Sequence, residues 1–221
     1  MKNKKKRSFV VIGLGQFGGT VAPALAAMGD EVLGIDTDES LVRQYANQLS
    51  HCLIADARDE NALKEAGIAN YDVAVIAIGE DLEANILATM NAKSLGVPTV
   101  WVKAQSNTHH RILSRIGVDR IIRPERDMGM QIAEILHTPY VFDYIKLGSA
   151  RYLVSYIIQH DMKKQPLGDL AHGKENGWHI VGVMRDSNFI ASGDSDVILQ
   201  EKDSLLVIGS KEQLRALSEL L

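Results

Sequence analysis

Phe9-Val10-Val11-Ile12-Gly13-Leu14-Gly15-Gln16-Phe17-Gly18 is a β-branched apolar run that breaks into G-x-G-x-x-G. Alone the glycine pattern is weak. Here it follows a strand-like run and opens a helical one, which is the context that gives it meaning. Gly13 permits a tight turn, Gly15 lets the backbone approach a pyrophosphate, and Gly18 lets the helix pack closely on a sheet. Gly19 adds a further glycine. A helix starting there offers free amides and a partial positive charge to phosphate.

Working outward, apolar runs alternate with helical patterns. Strands are expected at 8–12, 31–35, 51–55, 73–78, 98–102 and 119–122. Helices are expected up to 28 and at 41–49, 60–66, 82–95 and 108–116, with Gly29, Gly67, Gly96 and Gly117 placed as C-caps. Six strands in this alternation imply an α/β class, a Rossmann-like, doubly wound parallel sheet. Pro124 opens a further helix at 125–136, since proline suits a first turn, and Pro139 helps end it. From 143 the pattern becomes α+β. Strands are expected at 151–159, 178–184, 188–191 and 204–208, a helical turn at 167–170 and a helix at 211–220. The expected organisation is a nucleotide-binding domain at 8–123, a crossover helix and hinge at 124–142, and a small C-terminal lobe at 143–221.

Asp36 ends the second strand-like run. A carboxylate there accepts hydrogen bonds from both ribose hydroxyls and repels a 2′-phosphate, which disfavours NADP. Thr37 follows it. Asp56 ends the third run at the same sheet edge, within reach of an adenine amino group, and Ala57 is beside it. No G-x-x-x-x-G-K-[ST] occurs, so the loop lacks the lysine of a hydrolytic P-loop.

Composition narrows the function. Apolar residues make up 46% and charged residues 24% of the 221, which supports a core of useful size. The net charge of -4 argues against a nucleic-acid binder. Lys2, Lys4, Lys5, Lys6 and Arg7 crowd the start and read as a solubilising tail, with an arm that touches anionic lipid or an acidic partner as the alternative, and not as a secretory signal. No run approaches the ~20 apolar residues of a membrane span. Cys52 is the single cysteine, so an intrachain disulfide is excluded and a reducing cytosol fits. There is no Y-x-x-x-K, and the 7 histidines form no recognisable ligand set; adjacent His109 and His110 do not share a helix face. The nucleotide therefore reads as an effector, not a substrate, and the protein as no enzyme.

Four blocks carry a resemblance: the glycine segment above, Ala77-Ile78-Gly79-Glu80, Val100-Trp101-Val102-Lys103-Ala104, and Ile116-Gly117-Val118-Asp119-Arg120-Ile121-Ile122-Arg123-Pro124-Glu125-Arg126-Asp127-Met128-Gly129. On these the chain resembles the KtrA/TrkA family of RCK proteins, the cytosolic regulators of bacterial potassium uptake, and the KtrA type more closely because it has one such unit. The resemblance implies dimers that build a ring, typically an octamer, under a membrane potassium translocator of the KtrB or TrkH type. It implies ATP and ADP competing for the cleft, with Asp36 on the ribose, Asp56 and Ala57 near adenine, Ile78 and Gly79 lining the pocket, and Lys103 toward the phosphates. Gln16, Phe17 and Gly18 belong to the phosphate loop. Glu125 resembles the family glutamate that helps bind a divalent cation near the γ-phosphate across the dimer interface. Gln16 is a departure: many KtrA proteins carry arginine there, and the change leaves NAD(H) open as an alternative ligand. The C-terminal lobe resembles that of relatives that bind cyclic di-AMP, with His179, Ile180 and Lys174 as candidate contacts. A proline common near Ala191 is missing, and a plain dimerisation lobe is preferred. The rival readings are an NAD-dependent oxidoreductase and an RCK module cut from a potassium channel.

Overall fold

A computed structural model describes residues 6–160, 166–171, 177–193 and 197–221. The chain forms two compact units, residues 1–124 and 125–221.

The first unit is built on six parallel strands: β1 (Ser8–Ile12), β2 (Glu31–Asp36), β3 (His51–Ile54), β4 (Val73–Ile76), β5 (Thr99–Lys103) and β6 (Arg120–Ile122). Their order is β3-β2-β1-β4-β5-β6, so the chain reverses direction across the sheet between β1 and β4. All of Val73 to Ile76 and all of Phe9 to Ile12 are buried, because helices cover both faces. One face packs Val10, Ile12, Ile35, Ile76 and Val102. The other packs Val11, Leu14, Val32, Val42 and Val75. The α1 helix (Gly18–Ala27) follows the glycine loop, and α2 (Glu39–Tyr45), α3 (Glu60–Glu65), α4 (Leu82–Ser94) and α5 (Asn107–Ile116) complete the layers.

Four of these helices start the same way. Asp38, Asp59, Asp81 and Ser106 cap them, accepting from the amides of Ser40, Asn61, Ala84 and His109. Such caps each contribute about 1 kcal/mol. The first explains a difference from expectation: the helix read at 41–49 begins at Glu39 because Asp38 captures its first turn, and it ends at Tyr45. The strand read to 78 ends at Ile76, since Ala77 still donates to Ile12 O but the chain then turns away. The fifth strand starts after Pro98, which lacks an amide hydrogen. All four expected C-cap glycines take positive φ.

The second unit holds α6 (Pro124–His137), then an antiparallel sheet of β7 (Val141–Gly148), β8 (Arg151–Ile157), β9 (His179–Arg185), β10 (Asn188–Ala191) and β11 (Ser204–Gly209), with α7 (Leu167–Ala171) and α8 (Lys211–Ser218). The sheet order is β10-β9-β11-β8-β7. Sequence reading missed β7. Its side chains do not alternate cleanly, for only Val141 and Tyr144 are buried and two bulges shift its register. Its hairpin to β8 turns through Gly148, Ser149 and Ala150, all at positive φ, where no Asn-Gly signal stands. The core gathers Val154, Tyr156, Val183, Leu205, Val207 and Leu217. Tyr156 donates to Leu214 O at 2.7 Å, and burial pushes its phenol well above the usual range. Asp203, 1% exposed, accepts two hydrogen bonds from Arg185 at 2.9 and 2.8 Å and one from the Gln200 amide. No residue of α6 is buried, although Ile135 packs on this core and Glu134 pairs with Lys211.

Candidate functional site

Parallel sheets bind ligands at the carboxyl ends of their strands, where the strand order reverses. A cleft of about 370 Å³ lies at that point, lined from the ends of β1, β2, β3 and β4. Of the residues singled out from sequence, Gly13, Gly15, Asp36, Thr37, Asp56, Ala57, Ile78 and Gly79 line it together.

The glycine loop is held from below and open above. Gly13 sits at φ +95°, and a β-carbon there would press on the Ile78 amide and the Ala77 carbonyl carbon, so its loop packs directly against the chain leaving β4. A β-carbon on Gly18 would overlap the Gly13 carbonyl oxygen. One on Gly15 would meet nothing within 4 Å. That open space is the shape a pyrophosphate needs. The first turn of α1 has no acidic residue and no side-chain cap, so no carboxylate of its own competes for an anion there.

Asp36 Oδ2 accepts from the Leu14 amide at 2.6 Å, and Oδ1 from the Asp38 amide at 2.9 Å. The carboxylate thus fixes the glycine loop against the end of β2 and keeps lone pairs for two hydroxyl donors.

Asp56 behaves differently. Arg58, which sequence reading passed over, also lines the cleft. Its Nε and a terminal nitrogen lie 2.6–3.0 Å from the Asp56 carboxylate, whose pKa the Arg58 hydrogen bonds lower. Asp56 Oδ1 accepts the Arg58 amide as well. Little acceptor capacity is left for an adenine amino group. Replacing Asp56 with Asn is therefore expected to lower adenine-nucleotide affinity by less than about tenfold, the scale of one ordinary hydrogen bond, as read by titration calorimetry. Beside Asp56 the Ala57 and Arg58 carbonyls both accept from Asn91 Nδ2 at 3.0 Å.

Lys103 is not part of the lining but lies next to it, beside Gly79. A β-carbon on Gly79 would lie 3.5 Å from Lys103 Nζ, and that nitrogen is 5.8 Å from the Phe17 ring centre. Gly79 thus leaves room for the ammonium, and Phe17 carries it beside the glycine loop. Gln16 is exposed on the same loop, its carbonyl accepting from the Thr20 hydroxyl. Glu80 and Asp81 line this side too, and sequence reading gave them no role.

Glu125 lies in the first turn of α6, in the second unit. Among the described residues no three His, Cys, Asp or Glu side chains are placed to hold a metal ion. In the lobe, His179 is exposed on β9, whereas Ile180 is 9% exposed and packs in the core. Lys174 lies outside the described residues.

Comparison with known proteins follows the same division. The TrkA-N domain matches residues 9–124 and the TrkA-C domain residues 160–221. The chain is 41% identical to Ktr system potassium uptake protein C of Bacillus subtilis (strain 168), over 93% of each chain. It is 37% identical to Ktr system potassium uptake protein A of the same organism, over 96% of this chain and 95% of the other. In solved structures, the GsuK channel bound to NAD shares the fold at a TM-score of 0.68 and 13% identity, with all of this chain covering 40% of that one.

Proposed function

This chain belongs to the family of proteins with TrkA-N and TrkA-C domains, and from that premise we propose that it is the nucleotide-sensing regulatory subunit of a bacterial potassium uptake system. The observation that carries this reading is the cleft at the β1/β4 reversal, with Asp36 bound to the glycine loop and open space over Gly15.

In this reading ATP and ADP occupy the cleft in turn. Asp36 takes the ribose hydroxyls, the loop amides take the phosphates, and Lys103 approaches them from the Gly79 side. A ligand shifts a protein only by binding two of its states unequally. The γ-phosphate is the one group that differs, so the regulatory contacts are those that reach it. Lys103 supplies charge there, and Gln16 supplies a neutral donor. Across the dimer interface, Glu125 of a neighbouring protomer would add a carboxylate, and a divalent cation between it and the triphosphate would offset their repulsion.

Assembly into dimers, and from them a ring, is supported by α6. Met128, Ile132 and Leu136 recur on one stripe, at 54%, 45% and 82% exposure, and Phe142 and Leu147 on β7 are exposed as well. An apolar stripe on a helix with nothing buried calls for a partner surface. No helix among the described residues is long and apolar enough to cross a membrane. The likeness to Ktr system potassium uptake proteins supports assigning transport to a separate membrane subunit of the KtrB or TrkH type, with this chain on its cytoplasmic side.

The test is potassium flux through vesicles holding the membrane subunit, with this protein added and ATP exchanged for ADP. Flux that differs between the nucleotides is the expected result. Equal flux with both, from a protein that binds both, would overturn the regulatory role. A second reading, NAD(H) as the physiological ligand, is favoured by the uncharged Gln16 and by a carboxylate suited to an unmodified ribose. Tighter binding of NADH than of ATP decides for it. Oxidation of NADH with small carbonyl compounds would instead decide for an oxidoreductase.

A further inference from the structure

Asn85 on α4 and His109 on α5 are 0% and 1% exposed, and neither lines the cleft. Their hydrogen bonds nevertheless reach its lining at Ile78 and the strand end beside it at Lys103. Asn85 Nδ2 donates to Ile78 O at 2.7 Å and to Lys103 O at 3.1 Å. Both are carbonyls, so the amide group of Asn85 must turn its NH2 toward them. Its Oδ1 then faces His109 Nε2 at 3.1 Å, and that nitrogen must carry the proton. His109 Nδ1 is left as an acceptor, 3.4 Å from the Gln105 amide. One arrangement satisfies every partner, with a neutral imidazole, and burial also lowers the pKa of His109.

The position of this pair matters because the sheet stops there. Pairing between β4 and β5 ends at Ile76 and Val102. Ile78 and Lys103 lie past that point, where no ladder bond joins the two chains. Asn85 replaces the missing rung, and His109 holds Asn85 in the one orientation that can do so. Gly79 follows directly from the clamped Ile78 carbonyl, and Lys103, whose side chain approaches Gly79, bears the other clamped carbonyl itself.

We propose that Asn85 and His109 are positioning residues for the nucleotide: they tie the chain after β4 to the end of β5 and thereby set where Gly79 and Lys103 face the phosphates. The proposal rests on the cleft being an adenine-nucleotide site. It separates from a purely structural role because it acts on one end of the ligand. Disturbing the clamp moves the phosphate wall and leaves the ribose and base contacts of Asp36 and Ala57 in place.

The experiment measures ATP and AMP affinities at 25 °C for the full chain and for Asn85→Leu, His109→Leu and His109→Gln, each first shown to be folded by circular dichroism. The leucine variants are expected to lose about tenfold or more in ATP affinity, the scale of outer-shell partners at ligand sites, while AMP affinity moves less than about threefold. His109→Gln recovers most of the ATP affinity, because a glutamine amide can stand where Nε2 stood. If the leucine variants do not fold, His109→Gln against His109→Asn carries the test: the longer amide reaches Asn85 and the shorter does not, and equal ATP affinities for the two overturn the proposal. Equal losses of ATP and AMP, or no loss of either, also overturn it. A wild-type chain that binds neither nucleotide sinks the site itself, an outcome distinct from the others.

Discussion

An Asp36→Ala variant is expected to lose between about a hundredfold and ten-thousandfold in affinity for ATP, ADP and NADH alike. In the proposed site it would remove two charge-assisted hydrogen bonds to ribose hydroxyls, each contributing about 1.5–3 kcal/mol, and about 1.4 kcal/mol corresponds to a factor of ten. The variant is also expected to unfold at lower temperature. Asp36 takes the amides of Leu14 and Asp38, and Leu14 is fully buried; an orphaned buried amide costs about 1–3 kcal/mol. Calorimetric titration at a temperature where the variant is folded separates the two effects. Affinity within threefold of wild type would remove Asp36 from the site.

The second large effect belongs to Gly18. Gly18→Ala places a methyl group into the Gly13 carbonyl oxygen, with the Gly13 carbonyl carbon 3.0 Å and the Ala77 β-carbon 3.1 Å away. The obstacle is backbone, so no flexible side chain can yield. The φ of Gly18 is not in the left-handed region, so the penalty is overlap and not conformation. Forced overpacking costs about 1–3 kcal/mol or more, which in a chain of this size lowers the melting temperature by up to roughly 10 °C. Nucleotide binding is expected to fall with it, because the loop must move. Gly15→Ala is the contrast. A methyl group there meets nothing, so stability is expected to hold while affinity drops as the space for pyrophosphate fills. Melting curves with and without ATP distinguish the pair, and a stable, binding-competent Gly18→Ala would contradict the account of the loop.

Much of this was readable from residues in line. The run from Phe9 to Gly18 marks strand, turn and helix because β-branched residues, then spaced glycines, can do little else. Asp36 was placed by its distance from that loop. What escaped was whatever depends on closure in three dimensions. Strand β7 lacks alternation because much of its surface is exposed, and its turn uses Ser149 and Ala150 in place of the residues that usually signal one. Arg58 stood two positions after Asp56, yet only the loop's curvature folds it back onto that carboxylate. Sequence reading noted of His109 only that it shares no helix face with His110; its link to Asn85, 24 residues earlier, exists only once α4 and α5 lie side by side.

The helix Pro124–His137 has a last consequence. In the proposed assembly, a helix with no buried residue, held to its own lobe through Ile135 and Glu134, would draw part of its order from a neighbouring protomer. Its share of the folding free energy is then a matter of mass action, rising and falling with protomer concentration. On that proposal, dilution is expected to loosen it before it touches the parallel sheet, and a change in how protomers meet would be registered first along this helix.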